Sequence, residues 1–151
     1  GFRLEAAAFK TTIASDSTAA IFPTNDYGSR IGWGQVLSNF FSTDIVVDDR
    51  ASSGRSSKSF YDEGKWAACL QTRADFYFIQ FGHNDDKPGD PTRYTDPQTT
   101  FKGYLSNYVN QARASNKHHP HDFFVCAVGH LTVCDRVKFG QLQHNGVRKV
   151  T

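Results

Sequence analysis

The sequence predicts an α/β fold in which helices cover a mainly parallel sheet. Two observations predict it. Short β-rich runs alternate with helical stretches along the chain, the pattern of strand–helix–strand units. Each of the first three β-rich runs also breaks directly into a small polar motif, as strands do where they enter loops at one edge of an α/β sheet.

The first run is Thr11-Thr12-Ile13-Ala14, and it passes at once into Ser15-Asp16-Ser17-Thr18. A loop rich in Gly, Asn and Asp then ends at Gly32-Trp33-Gly34. From there Trp33, Val36, Leu37, Phe40 and Phe41 repeat at i, i+3, i+4, i+7 and i+8, which predicts one apolar helix face. Ile45-Val46-Val47 is the second strand, giving way to the small, polar segment Ser52 to Ser57. A helical stretch around Trp66 to Leu70 leads to the third strand, Asp75 to Phe81. Its near-continuous Phe, Tyr and Ile predict burial on both faces. Gly82-His83-Asn84-Asp85 closes it.

The longest helix starts with Asp96 as N-cap and Pro97 at the first helical position, and Phe101, Tyr104, Leu105, Tyr108, Val109 and Ala112 form its inward face. Phe123 to Val128 is a fourth strand. Beyond Gly129 the periodicity fades.

At 151 residues, 38% apolar and 21% charged, the chain reads as one globular domain over residues 1–151. A chain of this length buries roughly 70% of the surface its unfolded form exposes. Seventeen basic residues against fifteen acidic ones leave a net charge of +2, which gives no argument for nucleic acid as a partner. No apolar run approaches the ~18 residues of a membrane span. Gly1 to Lys10 lacks the pattern of a signal peptide, and since a leader can be removed, the compartment stays open between secreted and cytoplasmic. Self-association into a homo-oligomer is equally open. Cys69, Cys126 and Cys134 make no C-x-x-C pair, so buried or unpaired thiols are expected rather than a redox or zinc role.

The chemistry gathers in the three motifs after the strands. If those strands are parallel, Ser15-Asp16-Ser17, Ser53-Gly54-Arg55 and Gly82 to Asp85 meet in one crevice despite their separation in sequence. A serine on a tight strand-to-helix turn can present its hydroxyl, with backbone N–H groups beside it. A glycine lets a second N–H approach a reacting oxygen, and an asparagine amide adds a third donor. Three donors around a serine make an oxyanion hole, the arrangement acyl transfer demands. Taken singly, the same features are an N-cap, a turn glycine and a post-strand loop. Their order, each directly after a strand, favours a site.

These residues resemble the SGNH (GDSL-like) hydrolases. Ile13 to Thr18 is similar to their first block, written G-D-S; Gly54 falls in the second, and Gly82-His83-Asn84-Asp85 matches the third, G-x-N-D. The branch of rhamnogalacturonan acetylesterase-like proteins is closer still, through Gly32-Trp33-Gly34-Gln35, Gly54 to Phe60, Gln80 to Asp85 and Tyr94-Thr95-Asp96-Pro97, over roughly Phe2 to Ala114.

The resemblance implies a flavodoxin-like, three-layer α/β/α sandwich and ester hydrolysis with no metal or organic cofactor. By motif, Ser17 is the nucleophile, and its own N–H, the Gly54 N–H and the Asn84 amide form the oxyanion hole. The implied substrate is an acetylated carbohydrate, a pectic polysaccharide such as rhamnogalacturonan. The alternatives are an esterase or lipase acting on small or lipid esters, or a non-catalytic remnant that binds carbohydrate.

Two departures accompany the resemblance. Ser15 stands where the family has Gly, and no Asp is followed three residues later by His, so the family's last block, D-x-x-H, is missing. The expectation is a family domain incomplete at its carboxyl end. His130, just after the fourth strand, is the candidate substitute base. His83 is expected to shape its loop. His118, His119 and His121 read as a solvated loop rather than a metal site, and His144 falls in the unassigned tail.

Overall fold

A computed structural model describes residues 9–23, 30–41 and 45–115 and the backbone of Phe124–Val125. Among the described residues four strands form one sheet: β1 (Phe9–Ser15), β2 (Ile45–Asp49), β3 (Phe76–Gln80) and β4 (Phe124–Val125), in the order β2-β1-β3-β4. All three pairings are parallel, with Ile13 opposite Asp49, Ser15 opposite Gln80 and Ile79 opposite Val125. The α/β class and the parallel sheet follow the sequence expectation. The remainder of the expected Phe123 to Val128 strand lies outside the described residues.

Alternation along the strands sorts side chains between two faces. On one face Ala14, Tyr77 and Ile79 pack beneath α2 (Ser57–Asp62), α3 (Lys65–Gln71) and α4 (Thr100–Ser115). The helices contribute Phe60, Trp66, Cys69, Phe101, Tyr108 and Ala112 to the same buried cluster. The Trp66 ring stands edge-on to Tyr108 at 4.7 Å and to Tyr77 at 5.6 Å, and its Nε1–H donates to Gln111 Oε1. Tyr108, fully buried, donates its hydroxyl to the Ser57 carbonyl, so the packed face also fixes the start of α2. Burial pushes the Cys69 thiol up to about 12, which fits the inert buried thiol expected of it.

The opposite face carries α1 (Trp33–Leu37), whose Trp33 ring lies edge-on over Phe78 at 6.3 Å. Helices on both faces of the sheet give the three layers.

The structure corrects several expectations. The apolar repeat from Trp33 to Phe41 predicts one continuous helix, but α1 stops at Leu37, and Ser38–Phe40 tighten into a 3-10 turn. Phe40 is left 79% exposed. Ser38 and Asn39 are weak helix formers that favour turns.

In β3, Tyr77 and Ile79 are buried whereas Phe76 and Phe78 are half-buried, because the α1 layer covers less than the other. The Ser52 to Ser57 segment is not all loop. Ser56 caps α2 by accepting from the Ser59 N–H, while the Ser59 hydroxyl accepts from the Ser56 N–H. Asp96 does act as a cap, accepting from the N–H groups of Gln98 and Thr99, yet residues 97–99 form a turn and α4 starts at Thr100. The inward face predicted for α4 is observed, with Phe101, Tyr108 and Ala112 buried.

Candidate active site

Because β1, β2 and β3 run parallel, the three motifs leave the same carboxyl edge of the sheet, and hydrogen bonds join them side to side. The Ser52 N–H donates to the Ser15 carbonyl at 2.9 Å, extending the β1–β2 pairing into the loops. The Gln80 amide donates to Thr18 Oγ1 at 3.0 Å, tying the end of β3 to the residue after Ser17. The Asn84 Nδ2 donates to the Arg55 carbonyl at 3.1 Å, tying the third motif to the second.

Ser17 sits in a turn held by its neighbour Asp16. The Asp16 Oδ1 accepts from both the N–H and the hydroxyl of Thr18, at 2.8 and 2.7 Å, while the Asp16 carbonyl accepts from the N–H groups of Ala19 and Ala20. A strand-to-helix turn was expected here. The chain instead forms a turn over Ser17 to Ala19, and among the described residues the next helix begins at Trp33. That helix still supports the turn from outside. The Trp33 N–H donates to the Thr18 carbonyl, and the Trp33 indole N–H donates to Gln80 Oε1, on the same amide that donates to Thr18. Gln35 secures the approach, its Oε1 accepting from the N–H groups of Phe22 and Gly32. A Cβ on Gly32 would collide with the Ala20 carbonyl, which is why the Gly32-Trp33-Gly34 segment can lie so close against the turn.

Ser15, the departure from the family's Gly, is accommodated without exposure: it is fully buried, and its hydroxyl meets no partner among the described residues. Asp16 is fully buried too, with its Oδ2 similarly unpartnered among them.

Gly54 has φ +77, a left-handed conformation that only glycine adopts readily, and the space around its α-carbon is open. The glycine at this position therefore serves the turn itself as well as close approach. Asn84 is 7% exposed, within a turn in which the Gly82 carbonyl accepts from the N–H groups of Asp85 and Asp86.

Asp85 anchors the whole arrangement. Its carboxylate accepts from the Ser57 N–H, the Ser57 hydroxyl and the Thr95 hydroxyl, the last at 2.8 Å. Burial pushes its carboxyl above the usual value of 3.8, against the lowering effect of these donors. Sequence reading took Asp85 only as part of a motif and missed this role. Its partners lie 28 and 10 residues away, and the one local clue is the Ser56–Ser59 cap that begins the helix it holds.

Ser17 lines a cavity of about 320 Å3 with Thr18, Phe22, Arg30 and Ile31. Gly54 lines a second, larger groove with residues of α2 and the Pro91–Arg93 loop. The three motifs thus share one edge and direct links, while Ser17 and Gly54 open onto different hollows along it. Of the histidines, only His83 lies within the described residues, and it is exposed. His118, His119, His121, His130 and His144, with Cys126 and Cys134, lie outside them. Among the described residues no group of three or more His, Cys, Asp or Glu side chains could hold a metal, and no helix is long and apolar enough to cross a membrane.

A parallel sheet with helices on both faces is an α/β/α arrangement. The solved structure of protein YxiM from Bacillus subtilis shares it, with a TM-score of 0.65 at 21% identity, covering 80% of this chain and 32% of that one. In sequence, the chain is 42% identical over 108 residues to the probable rhamnogalacturonan acetylesterase YesY of Bacillus subtilis, covering 70% of this chain and 49% of the relative. It is 38% identical over 108 residues to the rhamnogalacturonan acetylesterase RhgT of the same organism, covering 70% and 44%. The chain thus spans about half the length of the curated relatives it matches. No protein-family profile matches it. Over the stretch it shares with them, the chain is thus similar to rhamnogalacturonan acetylesterases.

Proposed function

We propose that this chain carries the nucleophile and oxyanion hole of a serine esterase that removes acetyl groups from a pectic polysaccharide such as rhamnogalacturonan. The observation behind the reading is the direct hydrogen bonding among three loops that bear Ser17, Gly54 and Asn84 in the order of the family's motifs. The substrate class comes from the named activity of the relatives.

The Ser17 oxygen attacks the acetyl carbonyl carbon, and the carbonyl oxygen becomes an oxyanion facing the Ser17 N–H, the Gly54 N–H and the Asn84 amide. Collapse expels the sugar oxygen, which takes up a proton, and water then cleaves the acetyl-serine. The Asn84 amide has two N–H donors. Spending one on the Arg55 carbonyl fixes the side chain and keeps the other for the oxyanion, so the donor is set before charge develops.

A serine hydroxyl needs a neighbour to take its proton. The family draws that base from D-x-x-H, a pattern these 151 residues do not contain, and His130 is the candidate within them. A nucleophile and oxyanion hole without their base retain roughly 10³–10⁴-fold acceleration over water. Slow hydrolysis of activated acetate esters is therefore expected, with little or none of acetylated pectin.

The test is hydrolysis of an activated acetate ester by the chain and its single variants. Ser17→Ala should abolish turnover above background, and Asn84→Ala should lower kcat by about 2.7–4 kcal/mol of transition-state stabilisation. Hydrolysis unchanged in Ser17→Ala would sink the esterase reading. Full activity that collapses in His130→Ala alone would make His130 the working base.

A further inference from the structure

We infer that the groove between α2 and the Pro91–Arg93 loop, opening beside Gly54, is a subsite for a sugar ring of the polysaccharide next to the acetylated residue, bound through its hydroxyls. The inference rests on the esterase reading and goes beyond it by assigning residues outside the three motifs to substrate recognition.

The groove encloses about 560 Å3, within the roughly 300–1,000 Å3 of small-molecule sites. Gly54, a proposed oxyanion donor, is part of its wall, so a ring lying in it lies beside that donor, while Ser17 lines the other hollow along the same edge. Its other walls bring three cations, Arg55, Lys58 and Arg93, together with two carboxylates, Asp62 and Glu63.

The balance of these charges decides the ligand. Arg55 Nε donates to Glu63 Oε2 at 3.0 Å, Lys58 Nζ to Asp62 Oδ2 at 2.6 Å, and Arg93 Nε to Asp90 Oδ2 at 2.6 Å. Each cation already faces a carboxylate, so an incoming anion would have to compete with one. Hydroxyls need no such displacement. Each can donate to a carboxylate oxygen and accept from a guanidinium or ammonium N–H, and neighbouring hydroxyls on a pyranose fit paired donors and acceptors held side by side. No aromatic side chain lines the groove, so recognition falls to these polar groups rather than to ring stacking.

The loop is built to hold its place. The Asp90 carboxylate also accepts from the Thr92 hydroxyl and N–H, and these bonds with Arg93 hold its carboxyl down at about 2, leaving it ionised across the working range.

The experiment is calorimetric titration of the chain with a deacetylated rhamnogalacturonan oligosaccharide whose uronate carboxyls have been reduced to alcohols. The unsubstituted chain should bind it, equally well at low and high salt. Asp62→Asn and Arg93→Gln should each weaken binding by about tenfold. Both alter exposed ion pairs that contribute little to stability, and circular dichroism checks that each variant is folded.

No binding, or binding that both folded variants retain in full, would overturn the subsite. So would binding confined to the carboxylate-bearing oligosaccharide with affinity falling steeply in salt, which would mark an anion site instead. Activated-ester hydrolysis is measured on the same preparations. Ser17-dependent hydrolysis without oligosaccharide binding would fail the groove alone, whereas binding without hydrolysis would support the groove and fail the esterase reading.

Discussion

The two faces of the sheet hold the candidate site by different means. On the α2–α4 face, Phe60, Trp66, Tyr77 and Tyr108 are fully buried in one cluster, and through the Tyr108–Ser57–Asp85 chain that cluster fixes the second and third motifs. On the α1 face a five-residue helix and the end of β3 hold the Ser17 turn through the side chains of Trp33 and Gln80, with Phe40 left exposed. The loops of Gly54 and Asn84, the proposed oxyanion donors, are thus backed by packing, and the turn of Ser17, the proposed nucleophile, by hydrogen bonds. Packing depends on many atoms at once, whereas a chain of three hydrogen bonds fails when one member goes.

The largest contrast comes from deleting one aromatic on each face. Trp66→Ala empties space against Tyr77 and Tyr108 and strands the Gln111 carbonyl oxygen, so it should destabilise by about 3–5 kcal/mol in denaturant unfolding. Phe40→Ala removes a ring already in solvent and should stay within about 0.5 kcal/mol. Equal losses would mean that the α1 face is as tightly packed as the other.

Asp85→Asn probes the link between packing and motifs. An amide N–H2 placed among three donors cannot accept as the carboxylate does, and the loss should be about 1–3 kcal/mol at neutral pH. The pH dependence has a definite sign. Burial raises the folded carboxyl above 3.8, so Asp85 contributes stability that is fully present below 3.8 and is lost as pH rises through the raised value. The advantage of the unsubstituted chain over Asp85→Asn should therefore shrink as pH rises from 3.8. An advantage that grows over that interval would show the donors outweighing burial.

Gln80→Ala should cost about 1 kcal/mol of stability for its bonds to Trp33 and Thr18. Because those bonds brace the Ser17 turn, hydrolysis should fall by more than that loss of stability explains. Activity that simply follows stability would mean the turn holds itself through Asp16.

Some of this was legible residue by residue. Thr11 to Ala14 and Ile45 to Val47 announce strands by composition, and the spacing of Phe101, Tyr108 and Ala112 gives the buried face of α4 correctly. Parallel strands then put the Ser17, Gly54 and Asn84 motifs on one edge, as the sheet shows. The same periodicity misled at Phe40, because a repeat reports an apolar stripe but not whether anything covers it. The α2 helix was missed for a related reason, since Ser57 to Asp62 is short and polar at its start and depends on a cap and on Asp85.

What the sequence alone determined is therefore the strands, the longest helix and the edge of the sheet at which the candidate site residues lie, all carried by local pattern and motif. Only the tertiary structure decided which side chains brace that edge. The Trp33–Gln80, Ser57–Asp85 and Asn84–Arg55 bonds join residues 47, 28 and 29 positions apart, and the α2 groove faces a loop some thirty residues on. Such contacts leave no periodic trace, because they are made by folding in three dimensions and not by neighbours along the chain.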